Sequence, residues 1–112
     1  DDAWRKRVST WLVESGCLHL VAWGADCEIW HDCVDEADME LFDLHHNPDA
    51  HLVMTTWHPN EPLSEALWFA HNCASHPDTE LDETIIVHIA DQGRRTDILK
   101  AYQDSRNLHA HD

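Results

Sequence analysis

The chain has 112 residues, with 22 Asp and Glu against 7 Lys and Arg and a formal net charge of −15. That length makes a single domain, spanning 1–112, with one small core. A field of that sign repels nucleic acid and anionic membrane, which removes both as partners, and it attracts basic surfaces.

The cations are confined to the ends: Arg5, Lys6 and Arg7, then Arg94, Arg95, Lys100 and Arg106. Between Val8 and Gly93 there is no Lys or Arg, and 17 carboxylates fall in that span. Six Trp are many for a chain of this size. Trp suits cores, pocket walls and interfaces because it joins a large apolar ring to one N–H donor. The four Cys, with no secretory leader and no run of transmembrane length, point to a reducing cytoplasm.

Asp2 to Ser15 is expected to form the first helix. Asp2 is its expected N-cap, and Trp4, Val8, Trp11, Leu12 and Ser15 share one face. Gly16 stands where a left-handed C-cap residue belongs. Arg5, Lys6 and Arg7 open this helix against its dipole; they either form a solvated basic turn or pair with the acidic middle of the chain.

Cys17 to Trp23 is an apolar run bounded by Gly16 and Gly24, the pattern of a strand covered on both faces. Gly24 permits a turn and Asp26 is the expected cap of a second helix. Ile29, Trp30, Cys33, Val34, Ala37 and Leu41 make that helix's apolar stripe, and acidic residues populate its other faces. His45 to Ala50 is a loop broken at Pro48.

His51 to Trp57 is the second expected strand, and His58-Pro59-Asn60-Glu61-Pro62 a rigid turn. A third helix follows to about Ala74. Asn60 is its candidate cap, and its buried face is Leu63, Ala66, Leu67, Ala70, Cys73 and Ala74. Thr84 to Ala90, TIIVHIA, is rich in β-branched residues and is expected as the third strand. Thr96 or Asp97 then caps a last helix with Ile98, Leu99 and Tyr102 facing inward.

Helices alternating with strands imply an α/β fold: a small three-layer α/β/α sandwich with a helix at each end. Its sheet is mostly parallel, with three strands in order 2-1-3. A fourth strand would come from 44–50 or 78–83. Such a sheet leaves long edges, which a homodimer would cover.

Ligands of open α/β sheets bind beyond the carboxyl ends of the strands. Polar and aromatic residues gather there after each expected strand, and the candidate ligand-binding residues are Trp23, Asp26, Trp57, His58, Glu61, Asp91 and Arg94. Glu61 with His58, or Asp91 with Asp26, has the makings of a general acid–base pair. No nucleophile elbow, phosphate loop or dinucleotide fingerprint accompanies them, so no catalytic residue and no cofactor is assigned. Cys27 and His31, and His71, Cys73 and His76, are soft ligands at close spacing. They lack the paired short spacings of a zinc site, so no metal is assigned either. His19 and His88, inside expected strands, read as core histidines.

AWGADCEIWHD, then VMTTWHPNEPLSEALWFAHNCASHP, then IIVHIA, resembles a family of small bacterial proteins of unknown function, over about residues 20–90. The resemblance points to Trp23, Gly24, Asp26, Cys27, Trp30, His31, Asp32, Trp57, His58, Glu61, Trp68 and Phe69. Asn60 stands where that pattern has an acidic residue, which speaks against paired-carboxylate chemistry. The family carries no assigned activity.

The leading expectation is a non-catalytic binding protein: an inhibitor-, immunity- or adaptor-type partner of a basic protein. One alternative is a small-molecule or nucleotide-binding domain, or an enzyme, using a strand-end cleft. Another is a salt-adapted domain whose acidity serves solubility alone.

Overall fold

A computed structural model describes residues 1–45, 53–77, 79–89 and 92–108. The element order is α1 (Asp2–Glu14), β1 (His19–Trp23), α2 (Cys27–His45), β2 (Met54–His58), α3 (Leu63–Asn72) and α4 (Arg95–Ser105). Helix and strand alternate through α3, and β1 and β2 pair in parallel with Trp23 opposite His58.

Helix α1 starts one residue earlier than the sequence pattern suggests, because Asp1 is its cap and accepts the Trp4 N–H at 3.0 Å. Gly16 follows the C-cap with φ +97°, as a left-handed terminator requires. The helix is rotated from its expected face. Ser9 and Val13 are buried, whereas Trp4 and Trp11 stay exposed. The first turn explains the rotation. The Arg5 guanidinium donates to Asp2 at 2.8 Å, lies 3.9 Å from Asp26, and sits 5.8 Å from the Trp30 ring centre. Lys6 lies 3.6 Å from Glu40. Two of the three opening cations therefore lie beside carboxylates of the acidic middle of the chain, Arg5 largely buried and Lys6 still exposed.

The largest core cluster lies where α1 and α2 meet the sheet. Val13, Val34, Ala37 and Val53 are its buried members, with Leu12, Cys17, Leu20 and Leu41 packed around them. Alternation along the strands then divides the contacts. Thr55 and Trp57 meet α2 through Asp35 and His31, while His19 and His58 meet Phe69 of α3. Helix α4 packs on α3. The two helices α2 and α3 thus stand on opposite faces of the strand pair.

Residues 84–89 differ from expectation. They form no strand, and among the described residues the sheet has two strands in order β1-β2. Ile85, Val87 and Ile89 are exposed, as is His88, which is no core histidine. β-branched composition favours a pleated surface only where a neighbouring edge is present to pair with. Ala90 and most of the expected loop 45–50 lie outside the described residues. Of the proposed fourth-strand stretches, 79–83 forms no strand.

Smaller corrections follow from the caps. Helix α3 begins after Pro62, which has no side-chain bond to offer, and not from Asn60. It ends at Asn72, so Cys73 is a C-cap residue and exposed, not a core one. Helix α4 is preceded by Arg94 rather than capped by Thr96 or Asp97, and Leu99 is exposed.

Candidate functional site

The carboxyl ends of β1 and β2 are built by two turns. The first, Gly24-Ala25-Asp26, reverses the chain with Gly24 at φ +96° and Asp26 at φ +60°. Asp tolerates the left-handed region better than most side chains. Its carbonyl accepts the Trp30 N–H at 3.0 Å, which starts α2, while its carboxylate stays exposed on the Arg5 side. The second turn carries β2 into α3 through Pro59, Asn60, Glu61 and Pro62.

Glu61 ties these turns together. Its backbone carbonyl accepts the Trp23 indole N–H at 2.6 Å. Its carboxylate lies 2.6 Å from His58 Nδ1 and accepts that N–H. His58 is 8% exposed and rests against Phe69, with ring centres 4.8 Å apart. Its Nε2 is then free to accept from the Thr56 hydroxyl at 3.2 Å. Thr56 and His58 share a face because side chains two apart on a strand do so.

On the other face, His31 lies against Trp57 with ring centres 4.4 Å apart. Its Nδ1 is 3.0 Å from Asp32 and its Nε2 3.5 Å from Asp35. Both nitrogens donate only in the imidazolium form. Asp35 in turn accepts from Thr55 at 2.8 Å. The indoles remain open to solvent, Trp23 at 44% and Trp57 at 42%, and Ile29 is exposed at 44% on the first turn of α2. Glu28, Asp32, Asp26 and Glu61 are exposed around them.

Of the seven residues named from sequence, the structure joins Trp23, His58 and Glu61 directly. Trp57 follows His31 onto the α2 face, opposite Ala22, and Asp26 faces Arg5. Arg94 is exposed at the start of α4, with no bond to this group among the described residues. Asp91 lies outside the described residues. The sequence pattern assigns no role here to Arg5, Thr55, Thr56 or Asp35; it marks His31 as a soft ligand paired with Cys27 and through the resemblance, and Phe69 through the resemblance alone. The signals present were the two-residue strand spacing of Thr56 and His58 and the four-residue helical spacing of His31 and Asp35.

Two hollows among the described residues lie elsewhere: one between α1 and α2, bordered by Lys6, Cys33 and Glu40, and one on the outer side of α1 beside Arg7 and Trp11. The strand ends themselves carry the exposed indoles Trp23 and Trp57, one on each face, followed by exposed Asp26, Glu28, Asp32 and Glu61. No three His, Cys, Asp or Glu side chains among the described residues come together as a metal site, including the Cys27–His31 and His71–Cys73–His76 groups.

The four thiols are free and unequal. Burial pushes the Cys17 thiol up, and desolvation outweighs Arg5 to do the same at Cys33. A raised thiol in the folded state contributes stability that is whole below the ordinary value of 9.0 and is lost as pH rises above it. Melting temperature is therefore expected to fall above pH 9 more steeply in the parent than in Cys17→Ala. A thiol-reactive dye at pH 8 is expected to label exposed Cys73 first and Cys27, 4% exposed, last. Equal labelling rates by mass spectrometry would contradict this packing.

No helix among the described residues is long and apolar enough to cross a membrane. No curated protein and no solved structure matches the chain. The profile of a domain of unknown function, DUF7684, matches residues 1–105. That match spans both turns, both indoles and the His58–Glu61 pair, and it agrees with the resemblance to a family without assigned activity: the chain belongs to the DUF7684 family.

Proposed function

We propose that the protein is a non-catalytic binding partner of a basic protein, and that it binds through the strand-end surface. One observation carries this reading: two half-exposed indoles, Trp23 on the α3 face and Trp57 on the α2 face, flank the strand ends, where Asp26, Glu28, Asp32 and Glu61 are exposed in the turns and the start of α2 that follow. Aromatic anchors inside a charged rim are the usual composition of a protein-binding hot spot. The 86 residues from Val8 to Gly93 bring no cation to neutralise that rim. Arg5, the cation nearest Asp26, already donates to Asp2. Cations on a partner would meet carboxylates held by a rigid turn, so little ordering is needed on this side.

The reading includes the cytoplasm as its setting, where four free thiols stay reduced. It also takes the β1–β2 pair, with helices on both faces, as the middle layer of a three-layer sandwich in order 2-1-3, whose third strand is supplied across the open β1 edge.

A poly-arginine peptide is the direct probe. Calorimetry is expected to show binding that weakens as NaCl rises from 50 to about 300 mM, since exposed charges are screened within a Debye length of about 8–10 Å. Asp26→Asn combined with Glu61→Gln is expected to weaken it about tenfold, an effect of about 1.4 kcal/mol. An equal loss of affinity after neutralising two carboxylates of other elements, Glu80 and Asp104, would mean that only total charge matters. That outcome, with a melting temperature that climbs in molar NaCl, is the signature of salt adaptation.

A second reading rests on the Glu61–His58–Thr56 chain of hydrogen bonds. A carboxylate fixes the imidazole tautomer, and the free nitrogen faces a hydroxyl, as in sites that move a proton from an alcohol. A small ligand whose thermal stabilisation is lost in Thr56→Val would favour that use of the strand ends.

A further inference from the structure

Two parts of the described chain are unpaired and complementary. One is the outer edge of β1, which bonds β2 on its other side and no further strand among the described residues. The other is 84–89, in which five of six residues are β-branched, a length that matches the five-residue β1. Its Ile85, Val87 and Ile89, at two-residue spacing, stand exposed in the single chain. The start of the segment is held. The Tyr102 hydroxyl donates to Thr84 at 3.3 Å and accepts from His71 Nδ1 at 3.2 Å, which fixes Thr84 to the α3–α4 side of its own chain.

We infer that 84–89 pairs with the β1 edge of a second copy, in parallel, and that two copies exchange the segment symmetrically. The exchange gives each sheet its third strand and closes on itself, so it makes a dimer and not a fibre. It rests on the reading that the strand-end carboxylates receive cationic side chains, and it names one source of them.

Charge selects the direction. Glu80, Asp82 and Glu83 precede the segment, and Arg94 and Arg95 follow it. The chain after β1 carries Asp26 and Glu28, and Trp23 at its carboxyl end bonds Glu61 of the turn after β2, while Gly16, Cys17 and Leu18 before β1 are uncharged. Parallel pairing therefore brings Arg94 and Arg95 to the partner's acidic turn. Antiparallel pairing sets Asp82 and Glu83 against it, and like charges across an interface are disfavoured. Both arginines are exposed and make no ion pair among the described residues, so they are available. Arg94 is the fifth residue after Ile89, a reach of up to about 17 Å, enough to pass the strand end.

The test is sedimentation equilibrium of the full chain across micromolar concentrations, joined to hydrogen exchange of the 84–89 amides. A monomer–dimer equilibrium is expected, with those amides slowed only where dimer is present. Val87→Pro removes a ladder donor in a segment that the monomer leaves exposed. It is expected to give a monomer with an unchanged circular dichroism spectrum. Arg94→Glu with Arg95→Glu is expected to raise the dimer dissociation constant at least tenfold. A monomer at every concentration overturns the inference, as does a dimer indifferent to Val87→Pro or to the arginine reversal. Amides slowed equally at all dilutions would mean that each chain fills its own edge, which also overturns it. Poly-arginine binding measured on the Val87→Pro monomer separates the two proposals. Its absence there would remove the basic-partner reading while the dimer result stood.

Discussion

Asp38→Ala is expected to lower the melting temperature by about 10 °C. Val53 is buried at the entrance to β2, and its backbone N–H donates to Asp38 Oδ2 at 3.1 Å. Removing the carboxylate leaves a donor in the core with nothing to bond, which costs about 1–3 kcal/mol. For a chain of this size each kcal/mol shifts the midpoint by about 4–8 °C. Asp38→Asn keeps an acceptor and is expected to recover most of the loss. Glu36→Ala, on the exposed side of the same helix, is expected to change stability by less than about 0.5 kcal/mol, because it removes only a share of self-repulsion. Thermal melts of the three variants decide the matter: equal midpoints for Asp38→Ala and Glu36→Ala would reduce Asp38 to surface charge.

That comparison matters for function because it sorts the acidic residues into two kinds. Asp35 and Asp38 bond β2 or its entrance, and Glu40 faces Lys6. Asp35 and Asp38 tie α2 to β2, while Glu40 forms a surface pair. Composition alone presents them as one undivided field. The proposed recognition surface draws instead on the carboxylates exposed at the strand ends, Asp26, Glu28, Asp32 and Glu61.

The strand-end location was legible from sequence because glycine, proline and β-branched runs mark turns and strands through local sterics. Gly24, with φ +96°, and Pro62 before α3 stand where those rules put them. The rotation of α1 was not legible. An alternation of apolar residues favoured Trp4 and Trp11 as inward, but the contacts of Arg5 with Asp2, Asp26 and Trp30 set the face, and a long-range ion pair leaves no local pattern. The 84–89 segment shows the same limit from the other side. Its composition satisfies every local criterion for a strand, yet pairing depends on whether an edge is presented to it. Thr84 instead meets Tyr102, and nothing in TIIVHIA encodes that partner.

Trp23→Ala is expected to weaken poly-arginine binding more than any single carboxylate change, by about thirtyfold or roughly 2 kcal/mol. Two effects combine. The indole is a cation–π surface for an arriving guanidinium, an interaction of about 0.5–2 kcal/mol. Its N–H also donates to the Glu61 carbonyl at 2.6 Å, so the ring locks the turn that aims the Glu61 carboxylate and, through it, His58. Trp23→Phe keeps the aromatic face and loses the bond, and is expected to fall midway between parent and alanine variant. Trp57→Ala is expected to cost less, because the Trp57 ring is already engaged by His31 at 4.4 Å. An exposed indole contributes little to the core, so the melting temperature of Trp23→Ala should stay within a few degrees of the parent. The decisive comparison is between affinity and stability in the same variant. A large loss of affinity with an unmoved melting temperature makes Trp23 a recognition anchor. Unchanged affinity would leave it a turn-bracing residue and shift the binding surface away from the strand ends.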